Sequence, residues 1–134
     1  MKYLCMGYHE EKTWAAMTGS QRDAILNETF AYQDMLRKNG HYGSDGISLQ
    51  GASTAATLRF EKGAMSITDG PFLETKEQLG GVMVLEARDL NHAIQLMSQL
   101  PCMRVGGSLE IRPINEALSG SPASSKTRES VLTQ

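Results

Sequence analysis

The chain has 134 residues, 40% of them hydrophobic and 21% charged, with a formal net charge of −2. That balance fits one soluble globular domain with a modest core. It offers no basic footprint for nucleic acid or an anionic membrane, and apolar runs such as Val82-Met83-Val84-Leu85 are far too short for a membrane span.

Lys2 to Tyr8 reads as a strand, with Leu4, Met6 and Tyr8 on one face and Tyr3 and Cys5 on the other. His9-Glu10-Glu11-Lys12 follows at once, which excludes a signal peptide. Ser20 reads as a helix N-cap, with Asp23 completing a weak capping box. From Asp23 to Lys38, Ile25, Thr29, Tyr32 and Leu36 recur at helical spacing, flanked by Leu26 and Phe30, and Asn39-Gly40 supplies the stop. A weak strand around His41 to Leu49 is interrupted by Gly43 and Gly46. Ala56, Leu58 and Phe60 alternate with polar residues in a half-buried strand, and Lys62-Gly63 turns it into a partner carrying Met65 and Ile67. Gly81 to Ala87 is a strand apolar on both faces. Asp89 caps a second helix with Leu90, Ala93, Ile94 and Met97 inward, ended by Pro101, and Ser108 to Ile114 is the last strand.

The order strand, helix, strand, hairpin, strand, helix, strand predicts a ferredoxin-like α+β sandwich with an added hairpin. The domain is expected over residues 1–114, and the Ser-rich remainder, 115–134, reads as a mobile tail. Two helices cover one face of a sheet, and a solvated second face should be polar. Tyr3-Leu4-Cys5-Met6 and Val82-Met83-Val84-Leu85 are apolar in both registers, so something must cover that face. A homodimer packed sheet to sheet is expected, the alternative being cover by the tail or the long loop, which carry few large apolar residues. Cys5 and Cys102 are isolated thiols without ligand spacing, which fits a reducing cytoplasm and neither a disulfide framework nor a metal site.

The longest connector, Asp69 to Gly81, is the candidate functional segment, because long ordered loops in small domains are usually functional. Asp69 is either a turn-former or an acid–base group, and Gly70-Pro71 makes the turn. Phe72 anchors the loop or walls a pocket. Glu74, Lys76 and Glu77 are either a solvated charged face or a site in which a desolvated Lys76 pairs with Glu77. Gly80-Gly81 marks a close backbone approach, to another strand or to a ligand. Arg59 is placed to meet Asp69 or Glu74 across the hairpin, and Trp14 to roof a pocket or staple the first loop. His9 with Glu10 and Glu11 does not point to one centre. No cofactor motif is present.

The opening Met1-Lys2-Tyr3-Leu4-Cys5-Met6, Ala55-Ala56-Thr57-Leu58-Arg59, the Asp69-Gly70-Pro71-Phe72 to Gly81 segment and Gly107-Ser108-Leu109-Glu110-Ile111-Arg112-Pro113-Ile114 resemble the DGPF branch of the YCII-related (YciI-like) family. The resemblance implies a dimeric α/β-barrel arrangement of ferredoxin-like subunits. In that family a His and Asp pair is the proposed active site. Here the early helix carries no His between Ser20 and Asn39, with Asn27 and Glu28 in that region, so the role does not transfer. Three functions follow as expectations: a small-molecule binding or enzymatic site beside the loop, a regulatory or interaction module of the kind associated with sigma factors in related bacterial proteins, or a loop that simply clasps the dimer.

Overall fold

A computed structural model describes residues 1–42 and 46–120 of the chain. Strand β1 (Lys2–His9) is central. It pairs antiparallel with β5 (Gln78–Glu86) on one side and β6 (Ser108–Pro113) on the other, and the short β2 (Ile47–Ser48) pairs with the far edge of β5. The order β2-β5-β1-β6 makes β1 parallel to β2 and β5 parallel to β6, each pair joined by a helical crossover over the strand between them. Right-handed crossovers put both helices on the same face. This is the ferredoxin-like arrangement.

The core lies under those helices. Tyr3 and Cys5 of β1, with Met83, Leu85 and the following Ala87, point into it from the sheet, and Leu36, Ala93, Met97 and Leu100 meet them from the helical layer. The alternate residues Leu4, Met6, Val82 and Val84 lie on the open face and are half-buried in the protomer.

Helix α2 runs from Gly19 to Lys38, starting earlier than the sequence suggests. Thr18, not Ser20, is its cap: Gln21 N–H donates to Thr18 Oγ1 at 3.1 Å, and Thr18 N–H donates to Gln21 Oε1 at 2.8 Å. The longer Gln side chain closes the reciprocal pair that Asp23 was expected to make. Ile25, Thr29 and Leu36 are buried as expected, whereas Phe30 is exposed. A short helix α1 (Glu11–Ala16) precedes it, unannounced by any side-chain cap.

The expected strand from His41 to Leu49 shrinks to Ile47–Ser48 and a single bridge from Tyr42 to Leu85, while Gly43 lies outside the described residues. Asp89 caps α3 (Leu90–Met97) as anticipated, its carboxylate accepting from His92 N–H at 2.8 Å. The inward stripe of α3 is Ala93, Leu96 and Met97, continued by Leu100, and Leu90 and Ile94 turn to solvent.

The hairpin of β3 (Ala56–Glu61) and β4 (Ala64–Asp69) is a separate two-stranded sheet. Lys62 (φ 51°) and Gly63 (φ 77°) form its turn, both left-handed as a type I′ turn requires. The half-burial expected of its apolar residues is not met within one protomer, because among the described residues no element packs on that face: Phe60 and Ile67 are each 70% exposed. Beyond β6 the chain makes a 3₁₀ turn at Glu116–Leu118. Of the expected tail, residues 121–134 lie outside the described ones. Among the described residues no helix is long and apolar enough to cross a membrane.

Candidate functional site

Gly7 and Gly81 are cross-strand partners, two positions along from the buried pair Cys5 and Met83 and therefore on the same helix-facing side. Where two side chains should fill the gap between sheet and helices there are only hydrogens. The result is a cleft of about 750 Å³. Cys5 and Met83 floor it, Trp14, Leu26 and Phe30 of α1 and α2 line its helical side, and Cys102 and Met103 close one end. A volume in this range with apolar walls is typical of small-molecule sites.

His9, Glu10 and Glu11, where β1 ends and α1 begins, all line this cleft. The β1–β5 register slips between Gly7 and Tyr8: Gly7 faces Gly81, Tyr8 faces Leu79, and Gly80 bulges. A Cβ on Gly80 would sit 2.2 Å from His9 Cε1 and 2.4 Å from Nδ1, so the imidazole occupies the space the missing side chain leaves. A Cβ on Gly81 would lie 2.9 Å from the carbonyl oxygen of Ile47, the backbone that walls the cleft beside β5. The close approach expected of Gly80-Gly81 thus has two causes, a ring and a strand.

The polar groups at the mouth are held. Glu11 Oε1 accepts from Ala52 N–H at 2.7 Å, tying α1 to the short 3₁₀ turn at Ala52–Thr54. Glu77 accepts from Ser108 Oγ at 3.2 Å. Deeper in, burial pushes the Cys5 thiol up to about 11 and raises that of Cys102, the latter partly offset by a hydrogen bond with Thr29. Both thiols are therefore protonated near neutrality and poor nucleophiles. Folded Cys5 keeps its proton above the ordinary value of 9, so this contribution to stability is complete below pH 9 and is lost as pH rises toward 11. It amounts to about 2 kcal/mol, and Cys5→Ala is expected to flatten the stability–pH curve over that interval in urea titrations.

The loop after β4 is spread out. Gly70 (φ 98°) reverses the chain; its N–H donates to Ala55 O at 2.7 Å and its carbonyl accepts from Thr57 Oγ1 at 2.9 Å. Asp69 ends β4 opposite Ala56, exposed, and lines neither this cleft nor the next. Phe72 is 63% exposed rather than anchored in a core. Arg59 does not reach Asp69 or Glu74: its guanidinium lies 4.8 Å from the Phe72 ring centroid and 3.6 Å from Glu61. Lys76 is not desolvated and does not pair with Glu77. It is 81% exposed and sits 3.8 Å from Glu10. Glu74 is exposed and lines neither cleft.

A second, shallower cleft of about 930 Å³ runs along this loop, lined by Pro71, Phe72, Leu73 and Lys76. It shares Tyr8, Glu10, Glu77 and Ser108 with the first. Of the expected site residues, Phe72, Lys76 and Glu77 meet at the second cleft, and Trp14, Glu77, Gly80 and Gly81 at the first. His9 and Gly7 were missed. Their signal was a glycine inside an apolar strand, which marks a bulge or a close approach.

A ferredoxin-like sheet with a ligand-sized hollow beneath its helices places the chain among small α+β domains that host varied chemistry. The sequence profile of the YCII-related domain matches residues 1–117, and the chain belongs to that family. An uncharacterized protein of Rhizobium meliloti (strain 1021) is 30% identical over 115 residues, 85% of this chain and 92% of the relative. Among solved structures, the 5-chloro-2-hydroxyhydroquinone dehydrochlorinase of Burkholderia phenoliruptrix AC1100, in complex with 2,5-dihydroxybenzoquinone, aligns with a TM-score of 0.50. It is 15% identical, and the alignment covers 86% of this chain and 94% of that one, a likeness of fold.

Proposed function

We propose that the chain binds a small, flat, mostly apolar molecule with a polar substituent in the cleft between the sheet and α1–α2, and that His9 exchanges a proton with that substituent. The observation that carries this is the facing glycine pair, Gly7 and Gly81, which empties the helix side of the sheet beside His9. A neutral imidazole offers one donor and one acceptor nitrogen, enough to bind a hydroxyl or carbonyl and to act as acid or base. Trp14 and Phe30 give the flat surfaces that suit a ring. A dehydrochlorinase of this fold, in complex with a dihydroxybenzoquinone, is in keeping with a ring-shaped ligand. The acid–base role considered for Asp69 passes to His9 here, and the loop from Asp69 to Gly81 reaches the rim of the cleft through Glu77.

The protein works as a two-fold dimer in this proposal, joined through the open face of the sheet. Half-buried Leu4, Met6, Val82 and Val84, with exposed Ile47 opposite Val82, make the β2-β5-β1 part of that face apolar, and the Glu110–Arg112 ion pair of β6 borders it. Burying such side chains contributes roughly 1.5–3 kcal/mol each.

A thermal-shift screen of hydroxylated and keto aromatic compounds tests the ligand. At a hundredfold excess over Kd a true ligand adds about 2.7 kcal/mol, on the order of 10 °C for a domain of this size. Gly7→Val fills the cleft: a Cβ there meets only Gly81 O at 3.8 Å and Leu109 Cδ1 at 3.9 Å, ordinary contacts. The variant is expected to keep its unliganded Tm and lose the shift. An undiminished shift would move the site out of this cleft.

A further inference from the structure

The β3–β4 hairpin faces the wrong way for a lone protomer. Its register puts Leu58 opposite Ile67 and Phe60 opposite Met65 on one face, and Thr57 opposite Thr68 and Arg59 opposite Ser66 on the other. The polar face is the one tied to its own chain. Thr57 Oγ1 donates to Gly70 O, and Arg59 lies over the ring of Phe72 in the loop that follows β4. The apolar face points away, with its four large side chains 58–70% exposed. An amphipathic ribbon ordinarily does the reverse, burying the apolar face and wetting the polar one. Two strands alone are also marginally stable in water, and these two pack chiefly on each other.

We infer that this hairpin is an arm whose apolar face is buried by a second copy of the chain. Size decides between that occupant and an unrelated protein. Four such side chains bring about 100 Å² each, roughly 400 Å² per protomer and 800 Å² across a two-fold. A stable interface needs about 1,600 Å², so the arm cannot hold a separate partner by itself. Added to the open sheet face of the proposed dimer, it brings that interface to working size. The face is also uncharged along its length, with Asp69 only at its base, so a like face meets it without repulsion. The inference rests on the dimer and not on the ligand. It has a consequence for the rim of the second cleft, because Arg59 connects the arm to Phe72, and an arm fixed by a partner fixes that wall.

Sedimentation equilibrium on the full chain tests it, comparing wild type with Phe60→Glu/Ile67→Glu. Wild type is expected to be a dimer at micromolar concentration. The variant is expected to dissociate with a Kd raised at least a hundredfold, its far-UV circular dichroism unchanged because the arm stands apart from the core. A wild-type dimer matched by an equally tight variant overturns the arm while leaving the sheet-face dimer intact. A wild-type monomer overturns both. If the variant does not fold, hydrogen exchange on wild type decides: amides of Leu58, Phe60, Met65 and Ile67 are expected to gain protection as the protein is concentrated through its Kd, and concentration-independent exchange overturns the arm.

Discussion

Leu85→Ala is expected to cost about 3–4 kcal/mol, enough to remove much of the stability of a domain this size. Leu85 is wholly buried, sits opposite Tyr3 in the sheet and packs into the layer formed by Leu36, Ala93 and Met97. Removing its isobutyl group leaves a cavity that a close-packed interior cannot collapse around. Val84, its neighbour on the same strand, faces the opposite side and sits across from Leu4. Val84→Ala therefore separates the core from the proposed dimer face. Urea midpoints at two protein concentrations read the difference. The Leu85 deficit is expected to add equally at both. The Val84 deficit should be small at low concentration and larger at the concentration where the proposed dimer would form. If the Leu85 variant loses less than about 1 kcal/mol, the helix-facing side of β5 is not where the core lies.

That the two sides of one strand carry different obligations was legible in the sequence, because Val82-Met83-Val84-Leu85 is apolar in both registers and only one register can meet the helices. Helices α2 and α3 were legible too, since α2 repeats Ile25, Thr29, Tyr32 and Leu36 at its own period and Asp89 caps α3 through its carboxylate, whereas α1 was not. What was hidden follows from contacts that local pattern does not encode. The start of α2 depends on a reciprocal bond between Thr18 and Gln21, where side-chain reach rather than residue class decides. The hairpin reads as half-buried because alternation reports an amphipathic ribbon without saying which chain covers it.

The site was the least legible part. Charge and turn chemistry drew attention to the loop from Asp69 to Gly81, where the residues are conspicuous in type. The cleft instead arises from what is missing. Gly7 and Gly81 lie 74 positions apart and become partners only through the β1–β5 register, and Gly80 matters because the bulge brings His9 over it. The loop and the cleft meet at Glu77, which lines both hollows, so the sequence pointed to the rim and the fold supplied the floor.

Gly80→Ala is expected to be the most damaging small change to binding. The added Cβ falls 2.2–2.4 Å from two atoms of the His9 ring, well inside van der Waals contact, so the imidazole must move by an ångström or more. A displacement of that size at a proton-transferring group typically costs about a hundredfold in rate, and it takes the ring away from the position where it would meet a ligand's polar substituent. Stability should change little, because the clash is with a side chain that can turn toward the open cleft, and an added Cβ leaves the Gly80 carbonyl free to keep accepting from Leu49 N–H at 2.8 Å. The comparison with Gly7→Val is informative because the two act differently. Valine at Gly7 fills the space the ligand would take and leaves His9 where it is, whereas alanine at Gly80 leaves the space and moves the ring. If His9 recognises the ligand, both variants lose affinity for the same compounds, and the Gly80 variant alone changes the pH profile of binding. If Gly80→Ala binds as wild type does, the cleft works through its shape and His9 has no part in it.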